Sequence, residues 1–79
     1  MRANDVLEWV RAEPFAPFRI RLNSGRTFTI RHPEMIRVGR SSMDIFFFSG
    51  VPADPYERRE MIGLSLIESI KPLEVRKKT

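Results

Sequence analysis

Between Phe18 and Arg31 apolar and polar residues alternate with a period of two, pause at Asn23-Ser24-Gly25, and then resume. That period places Phe18, Ile20 and Leu22 on one face of a strand and Arg19 and Arg21 on the other. Across the pause, Phe28 and Ile30 continue the apolar face, while Thr27, Thr29 and Arg31 continue the polar one. The pattern predicts a two-stranded ribbon with a buried apolar side and a cationic outer side. Gly25 suits the left-handed position that closes a three-residue hairpin, because it has no Cβ to clash there.

Upstream, Ala3, Val6, Leu7 and Val10 recur at helical spacing, with Asn4 or Asp5 available as a cap and Glu8 three residues after Asp5. A short amphipathic helix is expected over roughly Asn4 to Glu13, closing the core through Val6, Leu7 and Val10. Pro14 ends it, since proline lacks an amide hydrogen and pushes the preceding residue out of the helical region. Phe15 and Phe18 bracket Ala16-Pro17 and pin the helix to the sheet. Trp9, at the margin of the stripe, is either a lid over the end of a sheet or an interface or base-stacking aromatic.

Downstream, Pro33 marks a bulge, edge or break, because it cannot donate to a ladder. Met35 to Gly39 alternates again, and Gly39-Arg40-Ser41-Ser42 reads as a turn. From Met43 to Phe48 both faces are apolar, Ile45 and Phe47 on one and Phe46 and Phe48 on the other. Such a strand belongs in a closed barrel capped by a helix, or at a subunit interface. Ser49 to Pro55 reads as a loop. Ile62, Leu64 and Leu66 alternate as a further strand, and the phase slip at Leu66-Ile67 implies a tight turn or one helical turn before the last segment. The expected fold is mainly β with one N-terminal helix: a small five-stranded bent antiparallel barrel.

Seventy-nine residues make one domain, residues 1–75, followed by a basic, solvated tail at 76–79. A chain this short buries only ~60–65% of its unfolded surface. With no cysteine it can have neither a disulfide nor a thiolate metal site, so self-association into a homo-oligomer is the expected source of extra stability. No apolar run approaches the ~20 residues of a membrane span, and no signal-peptide pattern opens the chain. A soluble cytoplasmic protein without membrane contact is expected.

The net charge of +4 is unevenly spread: six arginines face one acid between Arg19 and Arg40, and the remainder holds eight basic and nine acidic residues. Enzymatic machinery is hard to assemble from a single histidine, His32, with no paired carboxylates at a useful spacing. The four scattered glycines form no phosphate-cradling loop. We expect no catalysis, cofactor, metal or small-molecule substrate, and read His32 as a sheet-edge residue. Arg19, Arg21, Arg26 and Arg31 are the candidate nucleic-acid-binding residues, since guanidinium groups fork onto phosphate oxygens. Single-stranded RNA is the expected polyanion. A solvated face or intersubunit salt bridges would use the same residues, and Phe18 and Phe28 point away from any stacking role. The alternative function is a protein-protein adaptor or structural module with no nucleic-acid role, its interface formed by Trp9, Phe46 and Phe48.

A helix followed by short antiparallel strands resembles the small barrel of Sm-like proteins, including the bacterial Sm-like RNA chaperone, with the SH3-like barrel a near neighbour. Ile20-Arg-Leu-Asn-Ser-Gly25 is similar to the first Sm strand and its turn, and Leu66-Ile-Glu-Ser-Ile70 resembles the turn into the last strand. The resemblance implies rings that bind uridine-rich or adenine-rich RNA. The family's strand-bending glycine has no counterpart around Thr29, and Leu64-Ser65 stand where the bacterial branch has Lys-His. Pro14-Phe15-x-Pro17-Phe18-x-Ile20-x-Leu22-x-x-Gly25-Arg26 followed by His32-Pro33-Glu34 also resembles a pattern of short bacterial proteins of no assigned activity.

Overall fold

The ribbon forms as β1 (Phe18–Leu22) and β2 (Thr27–Ile30) in a computed structural model that describes residues 1–51 and 54–73, and the side chains of residues 1–47 and 58–73. The strands pair antiparallel with Ile20 opposite Phe28 and Arg19 opposite Thr29. The Gly25 amide donates to the Leu22 carbonyl and the Leu22 amide to the Arg26 carbonyl, both at 2.9 Å. Gly25 has φ +98°, the left-handed conformation in which a side chain would be strained. Phe18, Ile20, Leu22, Phe28 and Ile30 are all buried, and Arg19, Arg21, Thr27 and Arg31 are exposed.

On its other side β1 pairs with β6 (Ile67–Pro72), placing Lys71 opposite Arg19 and Ser69 opposite Arg21. Amide bonds from Asn23 to Leu66 and from Leu73 to Pro17 extend this pairing at both ends. A second sheet contains β3 (Ile36–Val38), β4 (Ser42–Val51) and β5 (Asp54–Gly63). The strand orders are β2-β1-β6 and β3-β4-β5. Among the described residues six strands form two separately hydrogen-bonded sheets, where the pattern predicts a five-stranded bent barrel.

Proline explains the first division. The ladder stops after Ile30, and Pro33–Met35 coil into a 3-10 turn, so a break rather than a glycine bend carries the chain between sheets. The second division falls where the hydrophobic phase slips: β5 ends at Gly63, and Leu64–Leu66 form one 3-10 turn. That turn buries Leu64 and leaves Leu66 50% exposed, so the strand expected through Leu66 stops at Gly63. The expected loop after Phe48 is also narrower, because β4 runs to Val51 and β5 starts at Asp54. Among the described residues β3 pairs with Met43 to Ile45 alone, leaving the outer part of β4 and β5 as a two-stranded arm. Backbone bonds hold such an arm without apolar alternation, which is why the polar run through Glu60 carried no strand signal.

The core draws on both sheets: Ile36, Met43, Ile45, Ile62 and Leu64 join the ribbon residues, Ile67 and Val6. The helix, α1 (Ala3–Val10), is shorter than expected at its C-terminal end. Asp5 is its third residue rather than its cap, accepting a bond from the Arg2 amide at 3.2 Å. Val6 is fully buried, and Ala3, Trp9 and Val10 pack against the core. Leu7, expected there, instead lines an open surface with Asn4, Glu8 and Arg11. Trp9 and Phe15 both pack on Phe18, with ring centroids 5.5 and 5.9 Å apart. Each buried ring or branched side chain contributes about 1.5–3 kcal/mol. Among the described residues no helix is long and apolar enough to cross a membrane. The proposed tail at 76–79 lies outside the described residues.

Candidate nucleic-acid interface

Strand alternation turns Arg19 and Arg21 outward, and β6 supplies their neighbours on the same side. Arg19, Arg21, Thr27, Ser69 and Lys71 line a shallow depression of about 170 Å³. Arg19 stands directly opposite Lys71 in the antiparallel register, and like charges so placed repel. Among the described residues neither has an ion-pair partner. Arg21 donates from Nε to Glu68 Oε1 at 2.8 Å, with both side chains about half exposed. Its two Nη groups have no partner among the described residues. Three cationic groups and two hydroxyls therefore converge on one patch, where their donors match the oxygens of an anion.

Arg26 lies elsewhere. Its guanidinium reaches across to Glu60 on β5, with Nη1 to Oε2 at 2.6 Å and Nη2 to Oε1 at 3.0 Å. It also stacks over Phe28 at 4.9 Å, while Arg58 covers Phe47 at 4.2 Å and the two phenyl centroids are 6.2 Å apart. The hydrogen bonds from Arg26 hold the Glu60 carboxyl below its ordinary pKa against the opposing effect of desolvation, helped by the charges of Arg26 and Arg58. The same bonds hold the Arg26 guanidinium above its own. This cluster ties the hairpin to the second sheet.

Arg31 is exposed just beyond β2 and does not line the depression. Lys71 and Ser69 were not foreseen from the pattern. Their outward parity is legible in Glu68-Ser69-Ile70-Lys71, but their place beside β1 depends on a long-range pairing. Of the candidate interface residues, Trp9 is half-buried against Phe18, and Phe46 is half-buried opposite Arg59. The side chain of Phe48 lies outside the described residues. Asp44, beside Arg37 on β3, has its Oδ1 buried with no partner among the described residues, and Met61 opposite it is 65% exposed. His32 is exposed and precedes the 3-10 turn. Among the described residues no three acidic or histidine side chains gather around a possible metal position. Comparison with protein-family models, curated proteins and solved structures returns no match in any of the three.

Proposed function

We propose that this protein is a non-catalytic binding module that contacts single-stranded RNA through the outer face of the β2-β1-β6 sheet. The opposed Arg19 and Lys71 carry the reading, because two uncompensated cations held side by side are stabilised by an anion. The contact set is Arg19, Arg21 and Lys71 with Thr27 and Ser69; Arg31 adds charge nearby, and Arg26 serves the fold. The depression is smaller than the ~300–1,000 Å³ of typical small-molecule pockets, which favours a ligand held by one group at a time. An Sm-like arrangement is supported by the order of one helix followed by short antiparallel strands. Self-association is supported by sheet edges and by the exposed Met61 and Leu66.

The outer face of the second sheet supports the adaptor alternative, since Met61, Phe46 and the unsatisfied Asp44 Oδ1 lie close in register. Fluorescence anisotropy with a labelled single-stranded oligoribonucleotide at low salt separates the two. Binding that weakens at least about tenfold in the Arg19→Ala, Lys71→Ala double variant is expected for two lost charge-assisted contacts. No binding by the wild-type protein overturns the RNA reading and leaves the adaptor.

A further inference from the structure

The shape of the cationic patch narrows what it recognises. Backbone-tracking proteins string their cations along a groove and set aromatic rings between them for the bases. Here the cations converge instead. Arg19, Arg21 and Lys71 share one depression, and the described aromatics of this sheet, Phe18 and Phe28, are buried on its other side. Its volume of about 170 Å³ equals roughly five or six waters at ~30 Å³ each. That is room for a phosphate and its nearest waters.

Charge points the same way. An internal phosphodiester carries one negative charge, whereas a phosphate monoester carries about −1.5 to −2 at neutral pH and offers three terminal oxygens. Arg19 and Lys71, with Arg21 already paired to Glu68, leave a net charge of about +2 on one depression, which matches the second. Arg21 is held for this by Glu68, which takes Nε and leaves the Nη pair for the ligand, while Thr27 and Ser69 supply hydroxyl donors at the rim.

We propose that the depression binds a phosphate monoester, the terminal phosphate of a short RNA, in preference to internal phosphodiesters. The inference rests on the RNA reading above but can fail separately from it. The probes are one oligoribonucleotide in three forms, with a 5′ phosphate, with a 3′ phosphate, and with hydroxyls at both ends, together with inorganic phosphate as competitor. A terminally phosphorylated form should bind about tenfold tighter than the hydroxyl form, as expected for added charge-assisted bonds. Arg19→Gln and Lys71→Gln, both exposed substitutions checked for folding by circular dichroism, should each reduce that ratio, and Arg26→Gln should not.

Equal affinity for all three forms overturns the terminal-phosphate inference while the RNA reading stands. If no RNA form binds but inorganic phosphate raises the melting temperature of wild type and not of Lys71→Gln, the monoester chemistry stands with a small phosphate as its source, and the RNA reading falls. No response to any probe overturns both.

Discussion

Arg19 and Arg26 sit on one hairpin and meet opposite surroundings. Arg26 has a bidentate carboxylate partner and an aromatic ring beneath it, whereas Arg19 faces Lys71 with no acid partner among the described residues. One residue type therefore does two jobs. Where an arginine's neighbour across the fold is an acid, it ties two sheets together; where that neighbour is another cation, it stores repulsion that an incoming anion can relieve. Composition cannot separate these roles, because it counts both as positive charge.

One core lies beneath both regions, and opening it has the largest expected effect. Phe18 is fully buried beneath Trp9 and Phe15. Phe18→Ala should cost about 3–5 kcal/mol, a large share of the 5–15 kcal/mol typical of a domain. Urea denaturation measures it, and a loss under 1 kcal/mol, on the order of a surface change, would mean the two regions are supported independently.

A smaller effect of opposite sign tests the cationic side. Lys71→Gln in phosphate-free buffer should raise stability by about 0.2–1 kcal/mol by relieving the cross-strand repulsion. A destabilised variant would show that the packing of the lysine stem outweighs the repulsion.

The smallest effect belongs to the Arg26 side. Because the Glu60 carboxyl is held below its ordinary pKa, the stability from its ion pair is present above the unfolded value and is lost as pH falls through the folded one. Glu60→Gln should melt slightly below wild type at neutral pH and match it in strong acid. A gap that stays constant with pH would show that the pair's charge contributes nothing.

Short-range features were legible. Inward parity placed five ribbon residues correctly, Gly25 marked its turn, and the phase slip at Leu66-Ile67 marked a tight or helical turn, which forms as the 3-10 turn Leu64–Leu66. The long-range features were hidden. Nothing local to Glu68-Ser69-Ile70-Lys71 says that it lies beside β1, and Glu60 could not be assigned to Arg26 before the β4–β5 arm was placed. Pro33 is compatible locally with a bulge, edge or break; which of these it produces depends on the second sheet to which the chain must cross. The candidate site was accordingly half visible, as Arg19 and Arg21, while Lys71 and Ser69 required the fold.

In the proposed RNA contact Arg19 and Lys71, not Arg26, neutralise phosphate. Affinity for one single-stranded oligoribonucleotide, measured across a salt series for wild type, Arg19→Ala with Lys71→Ala, and Arg26→Ala, separates these roles. The log-log salt dependence changes by about 0.7 for each phosphate neutralised on a single strand, so the double variant should show a clearly shallower slope and Arg26→Ala the wild-type slope. Equal slopes in all three proteins, or a shallower slope in Arg26→Ala alone, would contradict the proposed contact.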